Sequence, residues 1–163
     1  MVKKLHARQR QAGYSPKKLK SDLKRVRAVF DNVAASRDRF AIYKYWHAVY
    51  KLRRKWRRLQ RNEGVKIKKI ANRAFQGGIP ANSGGDGPLR LIIDATMSTK
   101  VQNPTVRTRL SKLRSKYFSL LNYVYKQKVT TRNVEKFIEH HGGLNFKTSA
   151  APKAKQKKRG RGK

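Results

Sequence analysis

The excess of basic over acidic side chains constrains this chain more than any other feature of its sequence. Lys and Arg number 43 and Asp and Glu only 8, which gives a formal net charge of +35 over 163 residues. A compact body with so much charge of one sign repels itself. Nucleic acid relieves that repulsion, because Lys and Arg that approach its phosphates release condensed counterions. The composition therefore predicts a nucleic-acid-binding protein.

The charge is not confined to the C-terminal tail. Residues 147–163 hold eight of the basic residues and no acid, so 35 basic and 8 acidic residues remain elsewhere. The remainder thus keeps a net charge of about +27. We expect the folded body to present a basic surface of its own.

Several classes of protein are excluded by composition. Without cysteine there is no disulfide, no thiol nucleophile and no cysteine-based zinc site. Neither an apolar run of membrane-spanning length nor the apolar core of a secretion signal is present. We expect a soluble protein without cofactor, metal or membrane partner that stays inside the cell, in the cytoplasm or nucleoid, or in the nucleus of a eukaryote.

The spacing of apolar residues predicts an all-α fold, a small bundle of four to five helices. Ser15 and Pro16 are typical of a helix start, and an apolar stripe continues over 16–35. That stripe consists of Leu19, Leu23, Val26, Phe30 and Val33. A second helix is predicted from Ser36 to about Asn62. Its predicted buried residues are Ile42, Trp46, Val49, Trp56 and Leu59.

Three further helices are predicted downstream. They cover Val65–Phe75, residues 103–127 and residues 131–141. The long one has an apolar stripe of Val106, Leu110, Leu113, Tyr117, Leu120, Leu121 and Val124. Residues 89–93, LRLII, are too short to assign by periodicity. We expect them to form helix or extended coil, because a single strand has no evident partner here.

The ends and one internal segment lack apolar periodicity. Residues 1–14 are predicted to be a basic arm, 15–146 the helical nucleic-acid-binding domain and 147–163 a disordered basic tail. Within the domain, the Gly-rich residues 76–88 predict a flexible loop. The tail resembles, in composition only, the basic extensions of ribosomal and histone-like proteins.

The strongest local signal is the sequence KLRRKWRRLQR at 51–61. A solvated helix surface normally places Glu four residues from its bases, and none occurs before Glu63. On a helix, the bases cover every side except the strip of Leu52, Trp56 and Leu59. We therefore predict that seven residues of this cluster bind nucleic acid, namely Lys51, Arg53, Arg54, Lys55, Arg57, Arg58 and Arg61.

A second basic stripe is predicted on the two C-terminal helices, and a third group on the tail. The stripe consists of Arg107, Arg109, Lys112, Arg114 and Lys116, continued by Lys126, Lys128 and Arg132. The tail group consists of Lys157, Lys158, Arg159 and Arg161. Among the aromatic residues, Trp46 and Trp56 are expected in the core and Tyr45 is the best candidate for an exposed ring that stacks on bases.

The acids are too scattered to suggest an enzyme. A two-metal nuclease needs clustered carboxylates, and Asp94, Glu135 and Glu139 form the only trio that fits one site. Asp22 and Asp38 are interpreted as charges near helix starts. We therefore predict that the protein is not an enzyme.

The predicted function is non-enzymatic binding of nucleic acid, mainly through the phosphate backbone. DNA is slightly favoured over RNA, since no RNA-binding sheet motif or KH loop is present. Two alternatives stay open: a structural RNA-binding component of a ribonucleoprotein such as a ribosome, and an adaptor that recruits a nucleic-acid enzyme.

Deletion of the tail tests this division of the chain. Removing residues 147–163 should weaken nucleic-acid binding, because eight positive charges are lost. Helical circular dichroism should not fall, because the segment has no apolar periodicity. A fall in helix content would show that the tail belongs to the domain.

Overall fold

The computed structural model describes residues 14–36, 38, 40–75, 87–97 and 103–143. The α-helices are α1 (Pro16–Ala35), α2 (Ala41–Glu63), α3 (Ile67–Phe75), α4 (Gly87–Thr96), α5 (Pro104–Lys126) and α6 (Val134–His140), and a 3₁₀ turn spans Thr131–Asn133. Since these residues contain no strand, the all-α prediction is confirmed. The helices number six rather than four to five because LRLII is part of a helix, α4, whose residues from 91 to 94 are all buried.

Most of the predicted arms and loop cannot be compared with the structure. Residues 1–13, 76–86 and 144–163 lie outside the described residues, and so do the predicted tail contacts at Lys157, Lys158, Arg159 and Arg161. Tyr14, by contrast, belongs to the folded body. Its hydroxyl donates a 2.7 Å hydrogen bond to Asp22.

The junction between α1 and α2 differs from its prediction. The Ser15 side chain caps α1 as expected, accepting a hydrogen bond from the backbone of Lys18 at 3.3 Å. Ser36 does not begin α2, because its backbone N–H closes the end of α1 on Val33. The Asp38 carboxylate then accepts from the backbone N–H of Phe40 at 2.8 Å. These local bonds hold a turn, and α2 begins only at Ala41.

Helix α2 lies at the centre of the core and packs against α1, α4, α5 and α6. Its two tryptophans, Trp46 and Trp56, are almost completely buried, as predicted, and Leu59 is only partly buried. The Tyr117 ring of α5 meets Trp46 edge to face, with ring centroids 5.4 Å apart. Such pairs add about 0.5–1.5 kcal/mol beyond the burial of their area.

Tyr45, predicted to be an exposed stacking ring, is fully buried. Its hydroxyl lies 2.8 Å from the hydroxyl of Thr96, which itself donates to the backbone carbonyl of Ile92 at 2.7 Å. The Tyr45 hydroxyl is therefore the donor of the first bond. This chain satisfies both buried hydroxyls and joins α2 to α4, so the prediction was wrong.

Only the C-terminal half of α5 belongs to the core. Its buried residues begin at Tyr117, whereas Val106, predicted to be buried, is 39% exposed. Leu110 and Leu113, from the same predicted stripe, are only partly buried. The helical period was correct, but the elements that the structure describes cover only half of the predicted length.

Buried phenols make the stability of the fold sensitive to alkaline pH. Burial raises the pKa of Tyr117 to about 12, and it also raises the pKa values of Tyr14, Tyr45 and Tyr50. Because the folded pKa lies above the unfolded value of 10.0, the stabilisation is complete below about pH 10 and is lost as the pH rises through the folded pKa.

Absorbance of tyrosinate near 295 nm measures this effect. At about pH 11, native protein should show fewer ionised phenols than its seven tyrosines, and the missing ones should appear on addition of urea. Ionisation of all seven before any loss of circular dichroism would contradict the burial of these rings.

Candidate nucleic-acid interface

A cleft of about 1040 Å³ lies between α1, α2 and the 3₁₀ turn, and we call it the α1–α2 cleft. Both helices line it with residues at helical spacing. In α1 these start at Asp22 and end at Val29, and in α2 they start at Ala48 and end at Arg58. Since residues three and four apart share one helix face, the cleft follows the seam between two parallel rows of side chains.

The floor of the α1–α2 cleft is apolar. It consists of Val26, Val29, Ala48 and Leu52. Val26 and Leu52 also belong to the core, with 6% of each surface exposed, whereas Val29 and Ala48 are more open. The cleft therefore meets solvent where the packing between α1 and α2 ends.

Six cations from three elements surround this floor. They are Arg25, Lys51, Arg54, Lys55, Arg58 and Arg132. Among the described residues, Asp22 is the only acid that lines the cleft. Its carboxylate oxygens lie 2.9 and 2.7 Å from the ammonium group of Lys55. Four of the other cations, Arg25, Lys51, Arg58 and Arg132, form no ion pair with any described residue.

Asp22 joins the two walls rather than acting as a charge at a helix start. Besides Lys55 it accepts from the hydroxyl of Tyr14, which in turn accepts from the indole N–H of Trp56. Its side chain is only 12% exposed. The original interpretation was wrong, because Asp22 lies beyond the first turn of α1 and faces α2.

The third wall is held in place by hydrogen bonds to one carbonyl. Val129 accepts from the Tyr50 hydroxyl at 2.6 Å and from the Arg54 guanidinium at 3.1 Å. These bonds bring Thr130, Thr131 and Asn133 to the end of the cleft. Thr130 and Asn133 precede helical segments, yet neither side chain forms a capping hydrogen bond.

The predicted 51–61 cluster divides between two faces of α2. Lys51, Arg54, Lys55 and Arg58 line the cleft. Arg61 is exposed but lies outside the lining, as does Arg57, whose guanidinium is 5.5 Å from the centroid of the Tyr125 ring.

Arg53, predicted to bind nucleic acid, is buried against α5. Its guanidinium lies 4.0 Å from the centroid of the Tyr125 ring, and the residue is only 9% exposed. Burial lowers the pKa of Arg53. The planar group packs on the aromatic face, and Arg53 does not line the cleft.

Most of the second predicted stripe is exposed but does not line the cleft. Arg107, Arg109, Lys112 and Lys116 are exposed on α5, and Lys126 and Lys128 at its end. Arg114 faces inward, with its guanidinium 4.0 Å from Asp94 and only 19% of its side chain exposed. Arg132 is the one member of this stripe that reaches the cleft.

The acidic trio does not form an accessible site. The Asp94 side chain is 3% exposed and accepts a 3.0 Å hydrogen bond from Arg90, with Arg114 nearby. Glu135 lies instead 3.7 Å from a ring nitrogen of His47. Within the described residues, no group of three His, Asp or Glu side chains is placed to hold a metal ion.

Arg25 is the cation of the cleft lining that sequence reasoning missed. It was one of several bases on α1, and only the pairing of α1 with α2 distinguishes it from the others. One signal was available: Arg25 lies next to Val26 and three residues after Asp22, at the border of the apolar stripe.

The chain matches no protein-family model, and no curated protein or solved structure is similar to it. Among the described helices, none is both long and apolar enough to span a bilayer.

The role of Asp94 is testable by substitution. Asp94→Ala leaves Arg90 and Arg114 close together without their carboxylate, and loss of one member of a buried ion pair costs about 3–5 kcal/mol. Since both arginines retain some exposure, we expect the free energy of unfolding to fall by about 2–4 kcal/mol. Urea denaturation measures the change. An unaltered urea midpoint would refute this role, and Asp31→Ala on the exposed side of α1 is the control.

Proposed function

We propose that the protein binds nucleic acid without enzymatic activity, through the phosphate backbone, and that the α1–α2 cleft is the main contact of the folded body. The observation that carries this proposal is the convergence of six cations from α1, α2 and the 3₁₀ turn around one open cleft. Asp22, the one acid in the part of the lining that the structure describes, is already paired with Lys55.

The chemistry of the rim suits phosphate. Guanidinium groups form forked hydrogen bonds to phosphate oxygens, and lysine provides a compact charge on a flexible stem. Four of the cations have no acidic partner among the described residues, so binding need not break an existing ion pair. The α5 bases Arg107, Arg109, Lys112 and Lys116, with the tail, extend the proposed contact beyond the cleft.

The preference for DNA over RNA stays a prediction from the sequence, as does the intracellular location. A structural component of a ribonucleoprotein and an adaptor for a nucleic-acid enzyme use the same basic surface and are the alternatives. Isolation from the native source without nuclease, followed by identification of the bound nucleic acid, distinguishes them.

The cleft is tested by removing four charges that have no acidic partner. Arg25, Lys51, Arg58 and Arg132 are changed together to Gln. If they hold phosphates, the slope of log affinity against log salt should decrease by up to about four, roughly one per lost contact. Native protein with about six contacts should lose about a thousandfold in affinity between 50 and 200 mM salt.

A matched control removes the same charge elsewhere. Lys66, Lys68, Lys69 and Arg73 are exposed around α3 and do not line the cleft. Changing all four of these residues to Gln should alter the salt slope less than the four cleft substitutions do. Equal slopes for the two variants would mean that charge alone, without the cleft, determines binding. Urea denaturation confirms that both variants fold, and less repulsion should leave the cleft variant at least as stable as the native protein.

A further inference from the structure

We infer that the α1–α2 cleft takes an unpaired stretch of nucleic acid, with a base on the apolar floor and the adjoining phosphates on the basic rim. This inference rests on the proposed function and names the form of nucleic acid that the same site selects. Three features of the cleft support this inference: the position of α2 beside α1, the apolar surface of the floor and the polar residues at one end.

The position of α2 argues against reading of a duplex major groove. That groove is about 12 Å wide and admits one helix, whose diameter with side chains is about 10–12 Å. The cleft face of α2 lies beside α1, and two packed helices with axes about 8–10 Å apart are roughly 20 Å across. Because the pair is too broad for the groove, this face can contact a base only if the base enters the cleft.

The floor distinguishes a base from a phosphate. A duplex presents only sugar and phosphate to a cleft, and burying charged oxygens against Val29 and Ala48 removes their water without a hydrogen bond in return. An unpaired base presents an apolar face, which such a floor accommodates. The six rim cations then lie where the flanking phosphates pass.

The end of the cleft supplies groups for the edge of a base. Thr130, Thr131 and Asn133 line it, and the side chains of Thr130 and Asn133 are not used as helix caps. A hydroxyl both donates and accepts, and an amide does the same. These groups are therefore available for base edges or sugar hydroxyls, which unpaired nucleotides expose.

The experiment compares ligands that have the same phosphates but different bases. Full-length protein is titrated with a single-stranded DNA oligomer, its RNA equivalent, a strand of the same length without bases, and the matching duplex. Measurements at about 0.2 M salt reduce the share of affinity that comes from charge alone. We expect the strands that carry bases to bind about tenfold tighter than the abasic strand, and tighter than the duplex. Tighter binding of RNA than DNA, or the reverse, identifies the preferred sugar.

A filled floor tests whether the base lies in the cleft. Ala48→Phe extends a ring over the floor without changing charge, and Ala34→Phe makes the same substitution at an exposed α1 position outside the cleft. Ala48→Phe should remove most of the tenfold advantage of base-bearing strands and leave the salt slope unchanged. Ala34→Phe should retain the advantage. Val29→Thr, which keeps nearly the same shape, is the second floor variant and should reduce the advantage in part.

The outcomes separate this inference from the proposed function. Equal affinity for strands with and without bases, or equal or tighter binding of duplex, overturns the inference but leaves phosphate binding intact. So does an advantage that survives in both floor variants. If no ligand binds with an affinity that falls steeply with salt, the proposed function itself is overturned.

Discussion

The whole fold depends on α2, which must bury an aromatic face while the rest of its surface carries most of the local positive charge. Trp46 and Trp56 provide large apolar surfaces on one side, and the bases of residues 51–61 repel one another on the others. Four other helices pack against α2. Most of these bases lie on faces that stay open, and one such face is a wall of the α1–α2 cleft, whereas Arg53 packs on the Tyr125 ring of α5.

Three of the eight acids lie at junctions between helices. Asp22 joins α1 to α2 through Lys55, Asp94 joins α4 to α5 through Arg114, and Glu135 lies beside His47 at the contact of α2 with α6. Each such acid lies beside a basic or titratable side chain of a neighbouring helix. This distribution explains why the acids are scattered along the sequence and why they do not assemble into a catalytic group in the described residues.

Much of the fold could be predicted because caps and apolar periods are local signals. The bounds of α1 agree with prediction, and those of α5 differ by about one residue at its end. The differences concern relations between helices. From the sequence, Tyr45 and Arg53 cannot be distinguished from their exposed neighbours. Both are buried because other helices pack on them. Arg25 lines the cleft because α1 packs beside α2, which the sequence of α1 alone does not indicate. A helical period says which residues share a face but not which face meets another helix.

The α1–α2 cleft is composed of segments that lie far apart in the chain, from Asp22 to Asn133. It therefore exists only in the folded protein, whereas the net charge of +35 persists when the chain unfolds. A ligand recognised by charge alone binds both states and shifts the folding equilibrium little. A ligand that also needs the floor of the cleft binds only the folded state and therefore stabilises the protein against unfolding. In this arrangement, the selectivity of the ligand and its power to drive folding have the same structural origin.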